Sequence, residues 1–149
     1  MIDSMDSVGE SLGSALAIFR ERVQSRVEAA GMQFLWNDTV TGNLPELGPR
    51  DVLQVFRIMQ EAVTNALKHS GGKVLSVSLS ASPDPAYAVR LAIADDGGGM
   101  GKPNPRGKGL GSMAARAAGF GGKLEITAAA SGVAVLLELP PLRGRAEMP

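Results

Sequence analysis

The feature that most restricts the fold of this chain is a change of hydrophobic period. From Pro49 to His69 the apolar residues Val52, Val55 or Phe56, Met59, Val63 and Leu67 fall on one face of a helix. Pro49 suits the first helical turn, and Ser70-Gly71-Gly72 suits the exit. From Lys73 to Ser82 the period drops to two: Leu75, Val77 and Leu79 share one face, while Ser76, Ser78 and Ser80 follow Val74 on the other. Pro83-Asp84-Pro85 turns the chain, and Val89, Leu91 and Ile93 alternate again between Tyr87 and Ala94, so the two runs read as an antiparallel hairpin. A helix with one apolar stripe and a hairpin with one apolar face bury both by packing helix on sheet.

The remaining segments fit that plan. Leu12, Leu16, Phe19, Val23 and Val27 give a helix from Ser7 to about Ala30, stopped at Gly31 and followed by a strand from Met32 to Trp36. Asn43 to Gly48 reads as a loop. After the hairpin come Asp95-Asp96-Gly97-Gly98-Gly99-Met100 and a Pro-containing loop from Gly101 to Lys108. A helix from Leu110 to Ala118 and two strands, Lys123–Ala128 and Val133–Leu139, turning at Ser131-Gly132, complete the pattern. The expectation is one domain over residues 11–140, with a leader at 1–10, a tail at 141–149, and helices on one face of a mixed sheet.

Composition removes whole classes of function. The 149 residues suffice for a single core, and 15 Lys plus Arg against 15 Asp plus Glu leave no overall field for nucleic acid or an anionic membrane. No Cys and a single His exclude zinc fingers, disulfide frameworks and thiol nucleophiles. The most apolar run, Val133–Leu139, is interrupted by Glu138 and too short to cross a bilayer, and Met1-Ile2-Asp3 is unlike a secretion signal, so a cytoplasmic location is expected. The 19 Gly are about twice the usual share, so where they cluster matters.

Three constellations carry candidate chemistry. Glu61, Asn65, Lys68 and His69 lie at helical steps of four, three and one, the first three on one polar stripe of the long helix. Asn65 offers a hard oxygen to magnesium, Glu61 a carboxylate for metal-bound water, and Lys68 a charge for phosphate. Spacing alone favours an ordinary solvated face, and His69 alone a helix-end cation. Asp95 ends a strand, where it can accept a hydrogen bond from an exocyclic amine, and the glycines after it admit close backbone approach; a hairpin loop is the plainer reading. Gly107-Lys108-Gly109-Leu110-Gly111-Ser112 opens a helix and can present free N–H groups to an anion. It lacks the preceding strand of a dinucleotide fingerprint and the Gly-Lys-Ser/Thr ending of a P-loop.

Taken in order, these runs resemble one family. Phe56-Arg57-Ile58-Met59-Gln60-Glu61-Ala62-Val63-Thr64-Asn65-Ala66-Leu67-Lys68-His69-Ser70 is similar to the N box of bacterial sensor histidine kinases. Asp95 to Met100 is similar to their first glycine box, and Gly107 to Ser112, continued by Met113, Arg116 and Gly121-Gly122-Lys123-Leu124-Glu125-Ile126, to their second. The likeness runs from about Ser11 to Pro140 and is greatest to the nitrate-sensor-like subfamily, whose lid between the glycine boxes is short. It implies a Bergerat-type (GHKL) ATP-binding domain: an α+β two-layer sandwich, with a mixed, mainly antiparallel sheet of about five strands covered on one face by about three helices.

The resemblance makes ATP and magnesium the expected cofactors. It makes Asn65 the magnesium ligand, Glu61 the holder of metal-bound water, Lys68 a phosphate contact and Asp95 the acceptor of the adenine amine. His69, Gly97, Gly99 and Met100 would border the nucleotide, and Gly107, Lys108, Gly109, Leu110, Gly111 and Ser112 would form the lid end and the phosphate-facing helix start. Arg116 is open between a site role and a structural ion pair, and Asp96 between packing and a water-mediated role.

Such a kinase passes the γ-phosphate to a His on a separate dimerising domain, and from there to a response regulator. No such His is present, since His69 lies in the N box. The chain is therefore expected not to phosphorylate itself, to act on a parent or partner domain, and to be a monomer or weak dimer without nucleic-acid or membrane contacts. A different reading is a stand-alone regulatory ATP-binding module or anti-sigma-type serine kinase acting on a partner protein.

Overall fold

The computed structural model describes residues 11–40, 44–69, 72–97, 110–129 and 132–141. Helix α1 (Leu12–Ala29) begins where the Ser11 hydroxyl accepts a hydrogen bond from the Ser14 N–H at 2.9 Å. That cap sets the start several residues after the expected Ser7; residues 7–10 lie outside the described residues. The helix buries Leu12, Ala15, Leu16, Phe19, Val23 and Val27, the expected stripe with one alanine added. It ends with Gly31 at φ +82° and the Met32 N–H donating to the Val27 carbonyl at 3.0 Å. This six-to-one closure caps the last carbonyls with a left-handed residue that glycine adopts without strain.

Strand β1 (Gln33–Asp38) lies parallel to β2 (Val74–Ala81), and helix α2 (Pro49–His69) crosses between them. The expected end at Trp36 is exceeded because Asn37 and Asp38 pair with Ser78 and Leu79. Strand β2 pairs antiparallel with β3 (Val89–Asp95), as the alternation predicts. Their turn is fixed by the Ser82 hydroxyl accepting from Asp84 N–H at 3.1 Å and an Asp84 carboxylate oxygen accepting from Ala86 N–H at 2.9 Å. Helix α3 (Leu110–Gly119) precedes β4 (Lys123–Ala129) and β5 (Gly132–Leu139), which pair antiparallel. The five strands run in the order β1-β2-β3-β5-β4. This is the mixed, mainly antiparallel sheet with helices on one face, an α+β two-layer fold.

Leu75, Val77, Leu79, Val89, Leu91, Ile93, Leu137 and Leu139 form the covered face of the sheet. The apolar arc of α2 is wider than the expected stripe: Val52, Val55, Phe56, Ile58, Met59, Ala62, Val63 and Ala66 are all buried. The reason is position, since α2 packs on α1, on α3 and on β3, whereas a helix at the rim buries one stripe.

Glu138 breaks the apolar run in the sequence, and the register explains it. It stands opposite Arg90 in the β3–β5 ladder. Its carboxylate, 2% exposed as a residue, accepts from Arg90 Nε at 2.6 Å and from the Ser82 hydroxyl at 2.7 Å. Both carboxylate oxygens are thereby satisfied.

One end of the sheet collects several segment ends. Asp95 at the close of β3 pairs with Leu75 near the start of β2, a few residues after α2 ends. Gly132 opens β5 at φ +134°, and a Cβ there would overlap the Asp95 carbonyl oxygen. Gly132→Ala is therefore expected to lose about 3 kcal/mol or more, since backbone strain and overlap act together. Gly121→Ala, at φ +82° with nothing within 4 Å of the added atom, should lose only about 1 kcal/mol. Denaturant unfolding of the two variants checks this; equal losses would show that the Asp95 contact does not matter.

Candidate functional site

Helix α2 supplies the first group of candidate residues. Glu61 and Asn65 are half-buried one turn apart, and Lys68 is exposed in the last turn. His69 closes the helix; its side chain lies outside the described residues. Because α2 is pinned by its apolar arc, the direction of this polar stripe is fixed by core packing, not by the polar residues themselves.

The second group stands at the end of β3. Asp95 is half-buried, and one of its carboxylate oxygens accepts from the Gly97 N–H at 2.9 Å. Its other oxygen takes no hydrogen bond from a described residue and remains available as an acceptor. Asp96, although exposed, is more than a neighbour. It accepts from Lys73 N–H at 2.8 Å and Val74 N–H at 2.9 Å, while its own N–H donates to the Val74 carbonyl at 3.3 Å. It thus ties the exit of α2 and the start of β2 to the residue after Asp95. Gly72 belongs to the same clamp, because a side chain there would run into the Asp96 carboxylate and the Gly97 backbone. The two backbone hydrogen bonds from Val74 and Lys73 hold the Asp96 carboxyl below its ordinary pKa.

The third group is the start of α3. Gly111 and Ser112 are exposed in its first turn. Gly99, Met100, Gly107, Lys108 and Gly109, and the side chain of Leu110, lie outside the described residues, whereas Gly97 is buried beside Asp95. Arg116 makes no ion pair with a described residue; its Nη1 donates to Gln54 Oε1 at 2.8 Å and ties α3 to α2. A cleft of about 400 Å³ opens over α2, lined by Arg26, Arg57, Gln60, Glu61, Thr64, Ser112, Met113 and Arg116. Glu61 and Ser112, far apart in sequence, meet there. The contributions of Arg57 and Thr64 were visible as helical neighbours of Glu61, whereas nothing in the sequence announces Arg26, which arrives from α1.

The family model for the histidine kinase-, DNA gyrase B- and HSP90-like ATPases matches residues 50–143. The chain belongs to this family. Among curated proteins it is similar to the sensor protein NarQ homolog of Haemophilus influenzae, 31% identical over 104 residues, which is 62% of this chain but 18% of that protein. Among solved structures, the catalytic domain of the histidine kinase ThkA superposes with a TM-score of 0.68 at 15% identity, covering 89% of this chain and 94% of that one. Full-length ShkA in complex with AMPPNP superposes with a TM-score of 0.65 at 23% identity, covering 85% of this chain and 29% of that one. These superpositions establish the fold of an ATPase-family domain. Among the described residues, no helix is long and apolar enough to cross a membrane.

Asp96 gives this ATPase-family domain a distinctive acid response. A carboxyl whose pKa falls on folding stabilises the fold above its unfolded value of 3.8, and that contribution is lost as the pH drops through the folded value. Asp96→Asn keeps an acceptor but no titration. The stability gap between the two proteins is expected at neutral pH and should close on acidification below pH 3.8. Denaturant midpoints measured across pH test this, and parallel curves would show that the clamp does not depend on charge.

Proposed function

We propose that this domain binds Mg-ATP where the end of α2 meets the ends of β2 and β3, and that it donates the γ-phosphate to a histidine on a separate dimerising phosphoacceptor domain. The observation that supports the reading is that α2, with Asn65 and Lys68 in its last turns, ends a few residues before β2, whose Leu75 pairs with Asp95 at the close of β3. Asp95 accepts from the adenine amine with its open oxygen, and buried Gly97 leaves room for the base beside it. Lys68 and the start of α3, with Gly111 and Ser112, face the phosphates. His69, Gly99, Met100, Gly107, Lys108, Gly109 and Leu110 complete the nucleotide's surroundings in this proposal.

The donor chemistry fits magnesium. Among the described residues no group of three His, Cys, Asp or Glu is arranged to hold a metal ion. Magnesium needs no such cage, since it binds through one or two protein oxygens together with phosphates and waters. Asn65 would be the direct ligand and Glu61 would act through a water. The ion supplies neutralisation of phosphate charge, and the protein's part is to position the groups around the transferring phosphoryl.

In the transfer the bond from the γ-phosphorus to the β-γ bridging oxygen breaks. A bond to an imidazole nitrogen forms, and ADP leaves. The acceptor comes from another domain, because the single His ends the N-box helix. The likeness to the sensor protein of 31% identity supports this reading over a stand-alone regulator; in this proposal residues 11–140 are the cytoplasmic catalytic unit of a two-component kinase that acts indirectly on a response regulator.

Calorimetric titration tests the assignment. Asn65→Ala is expected to cost about 1 to 3 kcal/mol of Mg-ATP binding, the worth of an interaction with a charged group. Asp95→Asn should lower the preference for ATP over GTP, because an amide can present a donor where adenine requires an acceptor. Unchanged magnesium dependence in the first variant, or equal losses for both nucleotides in the second, would sink the corresponding role.

A further inference from the structure

The cleft over α2 carries more positive charge than the proposed nucleotide contacts use. Arg26, Arg57 and Arg116 line it against one carboxylate, Glu61, an excess of two positive charges on a chain of zero net charge. No carboxylate among the described residues pairs with any of these guanidiniums. Arg26 Nη2 donates to the Thr64 hydroxyl at 3.1 Å and Arg116 Nη1 to the Gln54 amide oxygen at 2.8 Å. A guanidinium oriented by a neutral acceptor keeps its full charge and most of its donors. Two sides of the cleft thus present fixed cations, with Arg57 between them in sequence position on α2 and Gln60 and Ser112 adding neutral hydrogen-bonding groups.

We propose that this cleft docks an acidic segment of the protein that supplies the phosphoacceptor, its carboxylates pairing with Arg26, Arg57 and Arg116. The proposal rests on the kinase reading for the identity of the partner, and gives that partner's contact surface a charge. Arg26 and Arg57 are exposed, so a small anion would meet them largely hydrated and screened. A segment carrying several carboxylates engages arginines from three helices at once, each contact raising the effective concentration of the next. The location also favours transfer, since Glu61 belongs both to the cleft and to the proposed metal-water site, and a segment seated there arrives beside the phosphate that moves.

The test uses the intact chain and two synthetic helical peptides of equal length, one rich in glutamate and one with every glutamate replaced by glutamine, followed by fluorescence anisotropy at low and raised salt. The glutamate peptide is expected to bind and to weaken with salt, and the glutamine peptide not to bind. Arg26→Glu combined with Arg57→Glu should weaken the glutamate peptide about tenfold or more and admit a lysine-rich counterpart; the milder Arg57→Gln should weaken it several-fold. Mg-ATP titrations of the wild-type chain follow nucleotide binding independently of the peptides. A wild-type chain that fails to bind Mg-ATP would sink the functional reading separately from the docking result. Absence of glutamate-peptide binding, equal binding of both peptides, or indifference to charge reversal would overturn the proposal. So would displacement by inorganic phosphate but not by chloride of the same ionic strength, which would identify a small-anion site instead.

Discussion

The burial of α2 is the constraint on which the rest of the molecule depends. Val52, Val55, Ile58, Met59 and Val63 are all at most 1% exposed. At about 1.5 to 3 kcal/mol for each fully buried side chain, this one helix accounts for a large part of the apolar driving force. Phe56 extends the contact into an aromatic group, meeting Phe19 edge-on at a centroid distance of 6.0 Å, while Phe19 lies 6.4 Å from Trp36 of β1. Arg22 sits over the Phe56 ring at 5.8 Å and Arg20 over Trp36 at 5.1 Å, so the charged side of α1 covers the edges of the cluster. A helix fixed this firmly cannot rotate to suit a ligand. Its polar stripe is preorganised by the core behind it.

The same constraint explains what was legible in the sequence. The stripe of α2, the alternation of β2 and β3 and the helix stops at Gly31 and after Ala118 are local periodicities and turn chemistry, and each element appears where these patterns put it. Asn65 and Asp95 could be named as candidates from their chemistry, but position alone favoured a solvated helix face and a hairpin loop, and their roles came from the ordered resemblance of the three runs to the histidine-kinase boxes. What the sequence did not disclose is non-local. Ile58 and Ala62 lie off the simple stripe and are buried only because α2 has neighbours on both flanks. Asp96 has a role only because Lys73 and Val74 stand beside it, and Arg26 lines the cleft only because α1 lies across from Thr64.

Two treatments of charge coexist in the fold. At the β3–β5 ladder, Glu138 is sequestered with Arg90 and Ser82, a closed set in which each carboxylate oxygen has a partner. Removing one member would strand a buried charge, so such a set favours one register over its neighbours. On the helix layer the opposite holds: Arg26 and Arg116 are positioned by neutral groups and Glu61 has no cationic partner among the described residues. Charges left unpaired at an exposed surface cost little in stability, because water solvates them. They remain available to ligands that bring the opposite sign.

The clamp around Asp95 joins these two treatments. Asp96 fixes the backbone where α2 gives way to β2, and Gly132 brings β5 against the Asp95 carbonyl, so the sheet end is held from both sides. Neither group needs to touch a ligand to matter, since a displacement of about 1 Å at a hydrogen-bonding carboxylate is enough to spoil recognition of a planar base. The stable half of the molecule therefore ends at the residues proposed to read the base. Gly97 is anchored to that same half through Asp95, and the last turn of α3 through the Arg116–Gln54 bond. The residues proposed to read the base and hold the metal therefore take their positions from the packing of α2 and of the sheet end behind them, and not from one another.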